Sequence, residues 1–293
     1  MPHRSGFCCF VGRPNAGKST LTNALVGSKV VITSDKPQTT RHAVRGILTR
    51  DDAQLVVVDT PGLHRPRTLL GERLNDVVRA TLAEVDVVGF CVPANERIGP
   101  GDRFIASELA GIRAPVIAIV TKTDAAPKQR VAEQLLAVAE LGEFDEIVPV
   151  SAVAGDQVAL LTELLVARLP DGPQLYPDDV QTDNDLDTRI AELVREAALA
   201  DVHDELPHSI AVTVDEQRRR DSGLLEVFAT IHLERDSQKG IVIGPRGARL
   251  KQIGTVARPG IEELLGERVH LALHVAVERN WQRDPKKLDR LGF

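Results

Sequence analysis

Cysteine is scarce in this 293-residue chain: Cys8, Cys9 and Cys91 are an odd, scattered set. Such a set builds neither a disulfide framework nor a site with metal-ligand spacing. Cys8 and Cys9 are neighbours inside an apolar run, which reads as buried strand residues in a reducing cytoplasm. Long apolar runs are missing as well. No stretch approaches the ~20 residues of a membrane span, so no transmembrane segment is expected. Any membrane contact would be peripheral, at the inner face of the cell membrane. Met1–Gly6 leads into a short apolar stretch without a cleavage site, so no secretory signal is expected either. Net positive charge is also absent, since 36 Lys and Arg against 42 Asp and Glu leave a formal charge of -6. A nucleic-acid site must therefore be a local basic patch. The one tryptophan, Trp281, lies near the end, where it reads as a packing anchor for the tail rather than a base-stacking platform.

What is present indicates a soluble chain of about two domains. Hydrophobic residues make up 43% and charged residues 27%, enough for a real core under an ordinary surface. Short apolar runs at Phe7–Val11, Leu55–Val58, Val85–Val92, Val116–Val120 and Ile147–Val150 alternate with amphipathic stretches such as Leu69–Ala83 and Lys128–Leu141. Continuous apolar strands separated by helices predict a doubly wound, mostly parallel α/β sheet, whose ligands sit at the carboxyl ends of the strands. Residues 1–170 are expected to form this domain. Residues 171–186, rich in proline and aspartate, read as a solvated linker. Asp187 is expected to cap a helix running through Leu199. In 187–293, Ser209–Val214 and Leu225–Glu234 read as strands. A basic and apolar stretch, Lys239–Ile253, follows, then a helix near Ile261–Leu265 and a strand at Val269–Glu278. The order helix, strand, strand, helix, helix, strand predicts a smaller α+β domain.

Gly12-Arg13-Pro14-Asn15-Ala16-Gly17-Lys18-Ser19 matches G-x-x-x-x-G-K-[ST] between a strand and a helical stretch, Thr20–Val26, the context a phosphate-binding loop requires. The backbone amides of this loop, Gly12, Asn15, Ala16 and Gly17 among them, can wrap phosphates at a helix N-terminus. Lys18 supplies a cation to the terminal phosphates, and Ser19 offers a hydroxyl to Mg²⁺. An ATPase, a small-molecule kinase and a GTPase all remain open at this point. Three later signals narrow the choice. Asp59-Thr60-Pro61-Gly62 ends a strand, where Asp59 can hold Mg²⁺ and the Gly62 amide can sense the γ-phosphate. Thr121-Lys122-Thr123-Asp124 ends another. A carboxylate there accepts from guanine N1–H and the exocyclic amine, a donor pair that adenine lacks, and the Lys122 stem can lie along the base. Ser151-Ala152 ends a third, where a backbone amide can meet guanine O6. Between the first two signals, Thr39 or Thr40 can complete Mg²⁺ coordination, with Thr40 preferred.

The second domain holds Gly244-Pro245-Arg246-Gly247, a G-x-x-G loop of the kind that clamps RNA backbone in KH modules. Lys239, Arg246, Arg249, Lys251 and Arg258 carry positive charge around it, with no acidic residue between positions 239 and 258. In an acidic chain, that concentration points to a phosphate backbone. Arg218-Arg219-Arg220 reads as a solvated hairpin tip.

Gly12–Ser19, Lys36–His42 (KPQTTRH), Asp59–His64 (DTPGLH) and the KH-like Gly244–Gly247 together resemble the bacterial Era-type GTPases over essentially the whole chain. The resemblance implies a GTPase domain followed by a type II KH domain. It implies binding of the 3′ end of small-subunit ribosomal RNA and action, as a monomer, in small-subunit assembly. It implies GTP or GDP with Mg²⁺ as ligands, the nucleotide site drawing on Gly12, Asn15, Ala16, Gly17, Lys18, Ser19, Thr20, Asp59, Thr60, Pro61, Gly62, Thr121, Lys122, Asp124, Ser151 and Ala152. Lys18, Thr40 and Gly62 carry the catalytic contacts. Leu63 stands after Gly62 and cannot orient water, and the following His64 reads as a surface residue. Asn15 matches the P-loop asparagine that holds an activating K⁺ in related GTPases. The chain departs from the family at Thr121, where an asparagine usually ties the base-binding loop to the P-loop. A looser hold on guanine is expected from that change.

Overall fold

The first sheet is built from runs that are apolar at nearly every position. The computed structural model describes residues 2–36, 39–63, 68–200, 202, 206 and 209–291. It places β1 (Arg4–Val11), β2 (Val44–Thr49), β3 (Ala53–Asp59), β4 (Val87–Pro93), β5 (Val116–Thr121) and β6 (Glu146–Pro149) in the order β2-β3-β1-β4-β5-β6. Only β2 is antiparallel, to β3. Every residue of β3, β4 and β5 is buried, because helices cover both faces. These helices are α1 (Lys18–Val26), α2 (Leu69–Glu84), α3 (Pro100–Leu109), α4 (Lys128–Ala139) and α5 (Val158–Val166). Phe10, Leu21, Leu55 and Leu161 pack on one face, and Val11, Val78, Ile105 and Val138 on the other. The doubly wound, mostly parallel sheet is thus as the sequence predicts. The edge strand β2 carries no such signal, since its six residues mix Arg45 and Gly46 with apolar positions.

The proline- and aspartate-rich stretch after position 170 is not loose. The Ile47 amide donates to the Gln181 carbonyl at 2.9 Å, and Arg45 pairs with Asp183 at 2.7 Å. Gln54, fully buried, accepts from the amides of Leu175 and Tyr176 at 2.7 and 2.8 Å. The stretch satisfies backbone groups that edge strand β2 would otherwise leave open.

Met1–Thr33, Thr40–Pro66 and Gly71–Asp183 cluster as one compact unit, and Ser34–Thr39, Arg67–Leu70 and Asn184–Phe293 as another. The later elements are α6 (Leu186–Leu199), β7 (Ala211–Arg219), β8 (Leu225–Leu233), α7 (Asp236–Ile243), α8 (Ala248–Leu265), β9 (Val269–Val277) and α9 (Pro285–Arg290). Strand order is β7-β8-β9, antiparallel then parallel. The residue that caps α6 is Asp185 and not Asp187: its carboxylate accepts from the Thr188 amide at 2.9 Å. Helix α8 begins thirteen residues before the predicted Ile261 and runs straight through Pro259. An interior proline costs about 3 kcal/mol. Burial of Ile253, Ala257 and Ile261 on one face offsets it, which local propensity cannot foresee. Trp281 is fully buried and donates from its indole nitrogen to the Ser209 carbonyl at 3.3 Å, anchoring the tail. Among the described residues no helix is long and apolar enough to cross a membrane.

The arginine run is exposed at the tip of the β7–β8 hairpin, as the sequence predicts, and its guanidiniums are paired there. Arg220 and Arg218 pair with Glu226 at 2.6 and 3.1 Å, and Arg219 with Glu267 at 2.6 Å. The Arg220 hydrogen bond, helped by Arg218 and opposed by desolvation, lowers the Glu226 carboxyl to about 2, from an ordinary 4.5. A depressed folded-state pKa stabilises above the unfolded value and loses that contribution as pH falls through the folded one. Acidification from pH 5 to pH 2.5 is therefore expected to lower the melting temperature more in the wild type than in Glu226→Gln. Parallel thermal melts across that range check it; equal slopes would refute the pairing.

Candidate functional site

The nucleotide site forms where β1 ends and α1 begins. Gly17 adopts φ +89° and Lys18 opens the helix, so first-turn amides face the loop where an anion binds. Ala16 is buried in the sheet core, Asn15 sits in the loop at φ +63°, and Thr20 is half-buried in the first turn. Lys18 is buried, at 6% exposure, and points its ammonium into the loop. It donates to the carbonyls of Gly12 at 3.2 Å and Arg13 at 3.1 Å, inside the loop that would hold phosphates. Burial pulls the Lys18 amine down and pushes the Asp59 carboxyl up, and each charge partly restrains the other's shift.

Ser19 Oγ donates to Asp59 Oδ2 at 2.7 Å, and Thr40 Oγ1 lies 3.0 Å from both. Asp59 Oδ1 is buried and accepts no hydrogen bond among the described residues. Two hydroxyls and a carboxylate with an unused oxygen are hard ligands of the kind Mg²⁺ takes. Of the two candidate threonines, Thr40 is the one at this cluster. Thr39 turns away and donates to the Lys36 carbonyl at 2.7 Å. The Thr60 hydroxyl donates to the Phe10 carbonyl at 2.8 Å, so its side chain holds the loop to β1. Pro61 is buried behind it. Gly62 lies against the P-loop: a Cβ there would stand 2.8 Å from the Pro14 nitrogen, so only glycine allows this approach. Leu63 is buried in the apolar core, away from any water. His64, like Pro37 and Gln38, lies outside the described residues.

At the other end of the site the Thr121 hydroxyl donates to the Ala16 carbonyl at 2.6 Å, in a buried position. The tether to the P-loop, expected to be weakened by the missing asparagine, is thus made by the threonine hydroxyl. Thr121→Val keeps the shape and strands the carbonyl, which costs about 1–3 kcal/mol. Guanine nucleotide affinity is expected to fall about tenfold, and Thr121→Ser to restore it, by titration with a fluorescent GDP. Equal affinities for Val and wild type would show the tether idle. Lys122 adopts φ +56°, and the Thr123 amide reaches the Val150 carbonyl at 3.4 Å. Asp124 is exposed, and its Oδ1 accepts from the buried Ser151 hydroxyl at 2.6 Å. Ser151 therefore fixes the orientation of the Asp124 carboxylate. Its own amide donates to the Asp156 carbonyl at 3.1 Å, and Ala152 beside it is half-buried.

Sequence reasoning missed Arg13. Its guanidinium pairs with the fully buried Asp102 at 2.8 Å and with Glu96 at 3.1 Å, clamping the P-loop to the start of α3. The partners lie more than eighty positions away, so no local signal exists.

The second site surrounds Gly244–Gly247, between α7 and α8. Gly244, Arg246 and Gly247 all have positive φ, +71°, +52° and +77°, and the turn aims the N-terminus of α8 outward. Lys239, Pro245, Arg246 and Lys251 are exposed. Arg249 differs: it is half-buried and donates to the Ala200 carbonyl at 2.7 Å, so it braces the fold. Beside the loop a cleft of about 410 Å³ runs between α8 and β9, walled by Gly247, Lys251, Thr255, Arg258, His270 and Leu273. Gly254, Thr255 and His270 escaped the sequence reading. The signal was the helical period running from Gly247 through Arg258, hidden by Pro259.

Residues 7–122 match the family model described as 50S ribosome-binding GTPase, and residues 205–282 the one described as KH domain. The chain is 64% identical to the GTPase Era of Streptomyces coelicolor, across 99% of this chain and 95% of that one. It is 61% identical to the GTPase Era of Mycolicibacterium smegmatis, across 99% of both. Two crystal structures superpose over 99% of both chains at 36% identity. One is Era in complex with MgGDPNP and nucleotides 1506–1542 of 16S ribosomal RNA, with a TM-score of 0.95. The other is an Aquifex aeolicus Era variant bound to GDP·AlF4⁻, with a TM-score of 0.94.

Proposed function

The chain belongs to the Era family of GTPases, and from that premise we propose that it is a GTP-hydrolysing switch that binds the 3′ end of small-subunit ribosomal RNA through its KH domain and acts in assembly of the small ribosomal subunit. The observation that carries this reading is the convergence of Ser19, Thr40 and Asp59 beside Lys18. Ser19, Thr40 and Asp59 would hold Mg²⁺, which when bound neutralises charge on the phosphate oxygens. Lys18 would exchange its loop carbonyls for phosphate oxygens, and the Gly62 amide, held against the P-loop by the close approach to Pro14, would meet the γ-phosphate. Asp124, set by Ser151, selects guanine. Loss of the γ-phosphate would release the loops bearing Thr40 and Gly62, so hydrolysis acts as a timer on RNA binding.

Leu63, the residue after Gly62, is buried in the apolar core and cannot orient the attacking water, and Asn15 stands in the P-loop. We propose that K⁺ held with the help of Asn15 supplies the missing positive charge; equal turnover in KCl and NaCl would reject this. We place the protein in the cytoplasm as a monomer, with any contact at the inner face of the membrane peripheral. The deciding assay compares GTP and ATP hydrolysis with and without a ribosomal RNA 3′-end oligonucleotide. GTP preference with RNA binding is expected. ATP preference, or indifference to RNA in both binding and rate, would overturn the reading.

A further inference from the structure

Asp102 is a fully buried carboxylate in the first turn of α3, and capping that helix uses only half of it. Its Oδ2 accepts from the Gly99 amide at 2.8 Å, and its Oδ1 accepts from Arg13 Nε at 2.8 Å. A carboxylate left in water would serve the helix as well, whereas a buried one costs stability unless a partner is fixed opposite it. The base of this anchor is itself tied down. Arg130 of α4 donates to the Glu96 carbonyl at 2.8 Å, and the buried Gln134 donates to the Pro93 carbonyl at 3.0 Å. Gly101 makes room for the link, because a Cβ there would stand 2.8 Å from Arg13 Cδ. Its φ is not positive, so the backbone itself does not call for glycine. Glu96 meets the same guanidinium from a side chain 43% exposed, where an ion pair is weak, so Asp102 is the anchor.

The link acts on one end of the P-loop. The Arg13 carbonyl accepts from the Ala16 amide at 3.2 Å and from Lys18 Nζ at 3.1 Å. The next residue, Pro14, is what Gly62 rests on: the Pro14 nitrogen and Cα would lie 2.8 and 3.0 Å from a Cβ on Gly62. We propose that Arg13, anchored on Asp102, is a positioning residue for the γ-phosphate, fixing Pro14 and through it the approach of the Gly62 amide. The other holds on the nucleotide do not pass through this side chain. The first-turn amides of α1 follow Gly17. The guanine end is tied down by Thr121 on Ala16 and by Ser151 on Asp124. Releasing Arg13 therefore weakens the grip on a nucleotide triphosphate and spares that on a diphosphate. This rests on the γ-phosphate role given to Gly62 above.

The test uses the full-length protein without RNA. Phosphate release follows GTP hydrolysis, and calorimetry reads the affinities for GDP and for GDPNP. Two variants free Arg13 by different routes. Asp102→Asn keeps the size of the side chain but has one accepting oxygen for two donors. Gly101→Ala leaves both charges in place, suits a helix better than glycine and pushes the Arg13 stem aside, since carbon atoms pack no closer than about 3.5 Å. Each is expected to lower kcat and GDPNP affinity about tenfold or more while GDP affinity stays within about twofold, because a small misplacement is felt only where the displaced group acts. The double variant is expected to be no slower than the slower single one, since both release the same side chain. GDP and GDPNP affinities that fall together would reduce the pair to a structural brace and overturn the proposal. So would wild-type kcat in Gly101→Ala, which decides the matter even where Asp102→Asn fails to fold. Effects that multiply in the double variant would also overturn it, by giving the two positions separate routes. A wild type that neither binds GDPNP nor hydrolyses GTP would sink the γ-phosphate reading itself.

Discussion

Lys18→Ala is expected to reduce GTP affinity and turnover by about 100- to 1000-fold. Lys18 is nearly sealed from water, and its ammonium is the charge facing the buried carboxylate of Asp59. Truncation removes the cation that the phosphates meet, and it leaves Asp59 buried without its counter-charge. Breaking a buried pair on one side costs about 3–5 kcal/mol, and each 1.4 kcal/mol is a factor of ten. Lys18→Arg is not expected to rescue, because a planar fork is wider than the pocket that an ammonium fills. Calorimetric titration with GTP and a phosphate-release assay check the result, with circular dichroism to establish folding. Near-normal hydrolysis by a folded variant would show that Gly12–Ser19 is not the phosphate site.

Gly247→Asp is expected to weaken RNA binding about 100-fold while GTP affinity stays within about twofold. Gly247 has φ +77° with nothing within 4 Å of an added Cβ, so the side chain would project into open space. Aspartate is among the few non-glycine residues that enter the left-handed region. At this position it would also cap α8, where a carboxylate is favourable. The fold is thus expected to survive, and the effect to be electrostatic. An anion would stand where the loop and the helix terminus draw phosphate, and like-charge contact costs several kcal/mol. Gly247→Ala, without the charge, should lose far less. Fluorescence anisotropy with the 3′-end oligonucleotide and titration with a fluorescent GDP read the two affinities separately. An RNA affinity equal to that of the wild type would remove the glycine loop from the binding site.

By itself the sequence determined the parts whose physics is local. A buried parallel strand must be apolar at each position, so Leu55–Val58 and Val116–Val120 were legible as strands. A phosphate loop needs its glycines, lysine and serine at fixed spacing, so Gly12–Ser19 was legible as a site. The same holds for the order of elements after Asp187. The tertiary structure decided which groups meet. Thr40 rather than Thr39 reaches Asp59, because one peptide step turns the side chain to the other side of the loop. Thr121 reaches Ala16 across 105 positions and makes the tether that its identity alone argued against. Arg249 left the set of exposed cations for Ala200, and the arginine run at 218–220 closed on Glu226 and Glu267. Helix α8 continued past Pro259 because a buried face outweighed one missing hydrogen bond, and that continuation is what lines the cleft. Periodicity and spacing report interactions within a few residues along the chain. Partners brought together by sheet order and helix packing are set by long-range contacts that no local pattern encodes.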